Sequence, residues 1–114
     1  MATDCLFCKI VAGDIPAEVV HETETTLAFR DINPQAPTHV IVVPREHHAN
    51  AAEMGTNAAA LAGDVLAAAG AIAAAEGVTD GYRLVFNTGA GAGQTVFHVH
   101  CHVLGGRPLT WPPG

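Results

Sequence analysis

A run near the C-terminus, residues 97–104, constrains the fold most, because histidine alternates there with apolar residues. Successive side chains of a β-strand point to opposite faces, so the three histidines share one face of the predicted strand. They are His98, His100 and His102. The opposite face predicts core, since it carries Val99, Cys101 and Val103. Three aligned imidazoles are costly to bury without polar partners, so the run indicates a metal site or an array of acid–base and nucleophilic groups.

A single metal ion fits this row of histidines poorly. Same-face neighbours on a strand lie about 6.6–6.8 Å apart, whereas zinc binds imidazole nitrogen at about 2.1 Å. One or two of the histidines could bind an ion, but not all three without bending of the strand. The preceding segment contains Gly89, Gly91 and Gly93, which allow backbone N–H groups to turn toward an anion. An anion cradle beside a row of histidines predicts phosphorus chemistry.

The glycine-rich segment, residues 88–94, is weak evidence when it is taken alone. It is not followed by Lys-Ser or Lys-Thr, as a P-loop would be. It also precedes a predicted strand, whereas the glycines of a dinucleotide-binding turn follow one. A flexible hairpin connection therefore remains the alternative interpretation of these glycines.

The other segments predict an α+β fold with a mainly antiparallel sheet. Residues 6–12 indicate a short helix or turn, which ends at the glycine and proline of residues 13–16. Strands are predicted at residues 18–22, 26–30, 39–43 and 82–87, besides 97–104. The first two are close enough to form a hairpin, and the prolines of residues 33–37 require a loop. The strand at 39–43 is rich in β-branched residues and is expected to be central.

One long helix is predicted in the alanine-rich middle of the chain. It is expected to begin after Thr56 or Asn57, either of which can act as the N-cap, and to end at Glu76 with Gly77 as the C′ residue. Its apolar positions form one thin face that should pack on the sheet: Leu61, Val65, Ala68, Ala69 and Ile72. No repeat or linker divides the sequence, so residues 1–114 are predicted to form a single domain.

Charge and cysteine content exclude several classes of partner. With 5 Lys+Arg against 11 Asp+Glu the formal charge is −6, so no basic stripe is present to bind a nucleic-acid backbone. Residues 58–75 contain an aspartate and two glycines, and do not predict a membrane span. The N-terminus lacks the features of a secretory signal. The Cys5-x-x-Cys8 pair suggests metal or redox chemistry in a reducing compartment, so we expect a cytoplasmic protein.

The histidine run matches the pattern His-φ-His-φ-His-φ-φ, and the chain resembles the histidine-triad (HIT) family over nearly its full length. Three further blocks carry the resemblance: residues 27–39, residues 93–97, and the ending formed by 105–107 and 111–114. This ending is similar to the Hint branch of nucleotide-binding proteins, and it favours that branch over the dinucleoside-polyphosphate hydrolases.

The resemblance implies a HIT-like fold, with a mainly antiparallel five-stranded sheet, one long helix, a short N-terminal helix, and a homodimer whose sheets join edge to edge. It also implies a purine nucleoside phosphoramidase that hydrolyses the P–N bond of nucleoside 5′-phosphoramidates. His100 would attack the α-phosphorus to form a nucleotidyl-histidine, which water then hydrolyses. His102 and His39 would hold the phosphate and manage protons, and His98 would support the row. A neutral imidazole is a competent nucleophile at pH 7, so catalysis needs no cofactor.

Nucleotide-binding positions are likewise implied by the resemblance. Asp31 matches the carboxylate that accepts hydrogen bonds from the ribose hydroxyls. The apolar walls around the base match Leu6, Phe7, Ile10, Phe29 and Ile32. The phosphate contacts match Asn87, Gly93, Thr95 and Val96. Thr95 departs from the serine that is common in the Hint branch. Its hydroxyl is the same, but its methyl group narrows the part of the site that takes the leaving group. Without the resemblance, the apolar positions would be interpreted as ordinary core.

The cysteine pair is a second departure, since many Hint chains lack it. It resembles HIT proteins that bind a structural zinc ion, and the resemblance implies four ligands: Cys5, Cys8, His47 and His98. Two thiolates and two imidazoles suit tetrahedral zinc, which would attach a short N-terminus to a small domain and leave His100 free. The alternative is that the cysteines are small buried residues and that His47 and His48 lie in a surface turn.

Two further functions are compatible with the same residues. One is a nucleotide-binding or zinc-binding adaptor with little catalysis, although the intact triad argues against a vestigial site. The other is hydrolysis of dinucleoside polyphosphates, which differs only in the leaving group. Relative turnover of a P–N and a P–O–P substrate distinguishes them.

Overall fold

The computed structural model describes residues 4–114, which form three α-helices, a short 3-10 helix and five β-strands. The helices are α1 (Leu6–Val11), α2 (Ala51–Asn57), α3 (Ala59–Ala75) and the 3-10 helix Ala90–Ala92. The strands are β1 (Val19–Glu22), β2 (Thr26–Arg30), β3 (Thr38–Pro44), β4 (Tyr82–Val85) and β5 (Cys101–Gly105). None of the helices within residues 4–114 has both the length and the apolar character needed to cross a membrane.

The five strands form one sheet in the order β1-β2-β3-β5-β4, and every neighbouring pair is antiparallel. The α+β fold with an antiparallel five-stranded sheet is therefore confirmed. Strand β3 is central, as predicted, and all of its residues are buried. The hairpin between β1 and β2 is also present, with an irregularity in register between Val19 and His21. Short connections make these antiparallel pairings easy to form.

Alternate residues of the central strands enter two separate cores, one on each face of the sheet. Val40 and Val42 pack in the core beneath α3, whereas Ile41 and Val43 pack in the core beneath α1. This separation follows from the period of two along a strand. The predicted apolar face of the long helix is confirmed, because it lies on the α3 side: Leu61, Val65, Ala68, Ala69 and Ile72.

The predicted start of the long helix is wrong. Thr56 and Asn57 are the last residues of a separate helix, α2, and α3 begins after Ala58 without a side-chain cap. Asn50 caps α2, because its Oδ1 accepts a hydrogen bond from the Glu53 amide at 2.9 Å. An N-cap residue followed three positions later by glutamate is a recognised helix-start pattern, so the sequence did contain this signal. The helix end is as predicted, with Gly77 at φ +72°.

The predicted strand at 97–104 is wrong in extent, since β5 begins only at Cys101. His98 and His100 precede the strand, and the Val99 amide donates to the carbonyl of His48 at 2.7 Å. The pairing of β3 with β5 ends where Val42 lies opposite Cys101, and Pro44 follows two residues later along β3. A proline has no amide hydrogen, so it cannot continue the ladder as a donor. The alternation nevertheless persists, because Val99 is buried in the α3-side core with Cys101 and Val103.

Gly105 ends β5 where a side chain has no room. A Cβ at this position would lie 2.9 Å from Cβ of Val78. We expect Gly105→Ala to destabilise the protein by about 1–3 kcal/mol, since overpacking forces a buried neighbour to move. Gly63→Ala, in the middle of α3 with nothing within 4 Å, should instead stabilise by up to about 1 kcal/mol. Urea unfolding of both variants tests the pair, and equal stability of the two would contradict this packing argument.

Candidate active site and metal cluster

His100 lies at the centre of the histidine row and is buried, with 8 % of its surface exposed. Its Nδ1 donates a hydrogen bond to the carbonyl oxygen of His98 at 2.8 Å, because a carbonyl can only accept. In the neutral ring the lone pair is therefore on Nε2. The ring of Phe7 contacts His100 edge-on, with centroids 4.9 Å apart. Packing and one hydrogen bond thus hold an imidazole whose Nε2 can act as a nucleophile.

His102 and His39 form a hydrogen-bonded pair beside His100. Nδ1 of His39 accepts a hydrogen bond from the amide of Gln35 at 3.0 Å, so the proton of neutral His39 is on Nε2. This Nε2 lies 2.9 Å from Nδ1 of His102, to which it donates. Neutral His102 consequently carries its proton on Nε2. The tautomers of both rings follow from a single backbone amide.

Asp31 extends this pair, since its Oδ2 lies 3.4 Å from Nε2 of His39. Its Oδ1 accepts a hydrogen bond from the amide of Asn33 at 2.8 Å. One possible metal-ligand atom from each of Asp31, His39 and His102 lies within 4.8 Å of the others, so these residues are also a candidate metal site. Nδ1 of His39 is already engaged by Gln35, and its Nε2 carries the proton. We therefore interpret these residues as a hydrogen-bonded chain.

Burial lowers the pKa values of all three histidines near this chain. It lowers those of His39 and His100 below the usual value of 6.5, against an opposing effect of Asp31. For His102, burial and the neighbouring His100 and His39 lower the pKa to about 4. A low-dielectric environment disfavours the charged form of an imidazole. The rings are therefore neutral at pH 7.

A cavity of about 430 Å³ opens in front of His100 and His102, between α1 and β2. Most of the residues that the resemblance assigned to nucleotide binding line it: Leu6, Phe7, Ile10, Phe29, Asp31, Ile32, Thr95 and Val96. Ile32 is fully exposed, whereas Phe7 and Phe29 are buried. The volume falls in the range of small-molecule sites, which is about 300–1,000 Å³. The structure therefore gathers apolar walls, a carboxylate and two imidazoles around one cavity.

Asn87 and Gly93 do not line this cavity. The expectation that the glycine-rich loop points its amides at an anion is also corrected for two positions. The Gly89 amide donates to Oε1 of Gln94 at 2.9 Å, and the Gly93 amide donates to the carbonyl of Ala90 at 3.0 Å. Both glycines need positive φ, at +86° and +90°. Their role in this structure is to shape the loop.

Several further residues of the cavity wall carry no signal in the sequence. Ile15, Pro16, Ala17 and Glu18 follow α1, and Arg30 and Ile41 come from the sheet. The glycine and proline of residues 13–16 predict the end of the first helix, but nothing in their composition indicates that this turn borders the cavity. Arg30 is engaged with Glu76, at 2.8 and 3.0 Å, so its charge is directed away from a ligand.

A second cluster contains Cys5, Cys8, His47 and His98. Nε2 of His98 donates to the carbonyl of Pro44 at 2.8 Å, so its Nδ1 lone pair faces the cluster. Nδ1 of His98 lies 3.4 Å from the sulfur of each cysteine and 3.1 Å from Nδ1 of His47. Tetrahedral zinc, with bonds of about 2.0–2.3 Å, separates its ligand atoms by about 3.3–3.8 Å. The distances from His98 thus match such an ion within a few tenths of an ångström, and all four ligand atoms lie within 4.8 Å of one another.

Protonation in the cluster agrees with this fit. Burial lowers the pKa of His98 to about 4, so its lone pair is available. Burial and the neighbouring Cys5 raise the pKa of the Cys8 thiol to about 11. A bound cation reverses that effect, because it favours the thiolate. The third cysteine, Cys101, is buried on the α3 side and is not part of the cluster.

The chain is similar to known proteins over nearly its full length. A model of the HIT domain family matches residues 12–109. The chain is 52 % identical to a HIT family hydrolase from Legionella pneumophila, with a TM-score of 0.92 and coverage of 96 % of this chain and 99 % of that one. It is 45 % identical to a 14 kDa zinc-binding protein of Zea mays, over 96 % of this chain and 87 % of that protein. A histidine triad nucleotide-binding protein from Candida albicans is 30 % identical, with a TM-score of 0.82 and coverage of 95 % and 82 %.

Proposed function

The chain belongs to the HIT domain family, and on that premise we propose that it is a purine nucleoside phosphoramidase of the Hint type. Its substrates would be nucleoside 5′-phosphoramidates of the AMP type, and its products a purine nucleoside monophosphate and an amine. The similarity to a HIT family hydrolase supports hydrolysis in general. The observation that carries the finer proposal is His100, a neutral imidazole whose Nε2 lone pair is set by the hydrogen bond to His98.

In the first step, Nε2 of His100 attacks the α-phosphorus, a P–N bond to His100 forms, and the P–N bond to the amine breaks. The leaving nitrogen needs a proton. Burial disfavours protonated His102, but a bound phosphate anion favours it, with the added proton taken from solvent onto Nδ1. The Nε2–H of His39 then turns from His102 to Oδ2 of Asp31. The Nε2 proton of His102 passes to the amine. In the second step, Nε2 of the now neutral His102 removes a proton from water, which attacks phosphorus and releases His100. Dividing one displacement into two is the usual advantage of covalent catalysis.

The cavity supplies the binding roles in this proposal. Asp31 would accept hydrogen bonds from the ribose hydroxyls, because the contact of its Oδ2 with Nε2 of His39 is long, at 3.4 Å, and leaves this oxygen able to accept further donors. The apolar residues on α1 and β2 would enclose the base: Leu6, Phe7, Ile10, Phe29 and Ile32. Thr95 and Val96 line the same cavity and would lie near the phosphate. Asn87 and Gly93 would need a shift of the loop to reach it.

A structural zinc ion at Cys5, Cys8, His47 and His98 belongs to the same proposal. The zinc-binding protein of Zea mays supports it, together with the spacing of the four side chains. The bound ion would supply a cross-link between α1 and the segment before β5. His98 would thus hold the ion through Nδ1 while its backbone carbonyl orients His100. Catalysis would proceed on the histidines alone.

We also propose that residues 1–114 act as one cytoplasmic HIT domain and form a homodimer. Strand β4 is at the edge of the sheet beside β5, and an unpaired edge is available for joining a second sheet. Size-exclusion chromatography with light scattering tests the dimer, since a single species near the monomer mass of 11.7 kDa would contradict it.

The proposed activity is tested by intact-protein mass after rapid quenching with adenosine 5′-phosphoramidate. An added adenylyl mass, followed by release of AMP, is expected. Turnover of diadenosine polyphosphate in parallel should be slower. Faster cleavage of the P–O–P substrate would favour a dinucleoside-polyphosphate hydrolase. Neither adduct nor turnover of either substrate would favour a binding adaptor.

The pH dependence of the reaction should reflect the buried nucleophile. Protonated His100 has no lone pair on Nε2, and burial lowers its pKa below 6.5. The acid limb of kcat/KM is therefore expected to have its midpoint below pH 6.5. A pH profile with adenosine 5′-phosphoramidate measures this midpoint. A midpoint above 6.5 would show that the free enzyme needs a group with a raised pKa, contrary to the assignment.

A further inference from the structure

A second cavity, of about 300 Å³, adjoins the one in front of His100. Its wall consists of Asp4, Cys5, Leu6, Thr95, Val96 and Phe97. Leu6, Thr95 and Val96 line both cavities, so the two lie side by side along these residues. A ligand whose phosphate lies near Thr95 is therefore close to both.

The first cavity has no residue assigned to binding the leaving amine of the proposed substrate. The first cavity provides for the base, the ribose and the phosphate, but none of its residues has been assigned to the group attached through the leaving nitrogen. The second cavity begins at Thr95, next to the position proposed for the phosphate. Its position therefore suits the leaving amine.

The chemistry of the second cavity selects among amines. Phe97 and Leu6 expose 53 % and 42 % of their surfaces, so both offer apolar area to a ligand in this cavity. Asp4 is exposed, and within residues 4–114 it is the only charged side chain of the wall. No lysine or arginine of this described range lines the cavity to attract an anion. An apolar spacer could lie on Leu6 and Phe97 while a positive charge approaches Asp4.

We propose that this second cavity is a leaving-group subsite, and that Asp4 makes it selective for amines that carry an apolar spacer and a further positive charge. This inference rests on the proposed phosphoramidase function. Phe97 contributes apolar contact, and an aromatic ring face also attracts a cation. An amine that carries a carboxylate is disfavoured, because Asp4 repels it and no lysine or arginine among the described wall residues offsets the repulsion.

The test compares adenosine 5′-phosphoramidates that differ only in the leaving amine: unsubstituted, N-pentyl, N-(5-aminopentyl) and N-(4-carboxybutyl). In the wild-type protein, kcat/KM should be about fivefold higher for the aminopentyl than for the carboxybutyl compound, as expected for an exposed charge pair. Asp4→Asn should reduce this ratio to near one. Phe97→Ala should lower the ratio of pentyl to unsubstituted substrate. Ratios within each variant cancel any shared effect on the chemical step.

Asp14→Asn is the matched control, since Asp14 is exposed just after α1 and lines neither cavity. It removes the same charge and should keep the wild-type ratio. An unchanged ratio in Asp4→Asn, or an equal loss in Asp14→Asn, would overturn the subsite while leaving the phosphoramidase function intact. Absence of turnover of the unsubstituted compound, without an adduct on the protein, would overturn the proposed function itself and this inference with it.

Discussion

Replacement of His100 by alanine should lower turnover of adenosine 5′-phosphoramidate by at least about 10³-fold, because no other group can form the covalent intermediate. The adenylyl mass seen on quenching the wild-type protein should be absent. Binding of AMP should remain measurable, since the walls and Asp31 are retained in the cavity. Steady-state kinetics, intact mass and calorimetric titration with AMP measure these three quantities.

His21→Ala is a suitable control for this variant. His21 lies on β1 and does not line the cavity that contains His100. It removes an imidazole from the same protein, so its turnover should remain close to that of the wild type. Substantial turnover or an adenylyl adduct in His100→Ala would exclude His100 as the nucleophile. Loss of AMP binding with a normal melting temperature would instead show that His100 serves mainly in binding.

Loss of the metal cluster should have the largest effect on stability. Cys8→Ser removes one of four ligands, and the protein should then retain little zinc. A ligand present at 100 times its Kd stabilises a fold by about 2.7 kcal/mol. Unfolding entropy is about 2.1 cal/mol/K per residue, so the expected decrease in melting temperature is about 10 °C for this chain. Elemental analysis and thermal unfolding measure the two effects together.

The matched control is Cys101→Ala, which removes a thiol outside the cluster. It should keep one zinc per chain even though a small core cavity lowers its stability. Chelation of the wild-type protein should reproduce the melting temperature of Cys8→Ser. A wild-type protein that contains no zinc after purification without chelator, or a variant as stable as the wild type with full zinc content, would contradict the proposal.

Loss of the metal should also weaken substrate binding in the nucleotide cavity, because Cys5 and Cys8 of the cluster belong to the start of α1. This helix carries Leu6 and Phe7, and Phe7 contacts the ring of His100. We therefore expect the chelated protein to show an increase in KM for adenosine 5′-phosphoramidate. Residues of the cluster and of the cavity thus alternate along one short helix, although only the cavity would take part in the chemistry.

The sequence was most informative where one periodic pattern dominates. Alternation identified the buried face of residues 99–103, and helical spacing identified the face of α3 that packs on the sheet. Both patterns follow from the fixed geometry of strands and helices. Boundaries were less well predicted. Alanine favours helix in α2 and α3 alike, so the composition did not show that the helix is interrupted at Ala58.

The end of β5 shows why local pattern was insufficient. Residues 98–100 alternate as strand residues do, but their partner strand reaches Pro44, which offers no amide hydrogen. The Pro44 carbonyl accepts a hydrogen bond from His98 instead. Similarly, Gly89 and Gly93 have the flexibility of an anion-binding loop, but Gln94 and Ala90 engage their amides. In both cases a neighbour outside the motif decided the outcome.

By itself, the sequence determined the residue types of the site and the face on which they lie, because side-chain direction in an extended chain depends only on position. The tertiary structure decided which nitrogen of each ring carries the proton. That assignment comes from the Gln35 amide on His39, the Pro44 carbonyl on His98 and the His98 carbonyl on His100. Two of these partners are brought to the ring by turns and strand ends, not by the triad itself. A tautomer is a property of hydrogen-bond partners, so the nucleophilic nitrogen became identifiable only once the chain was folded.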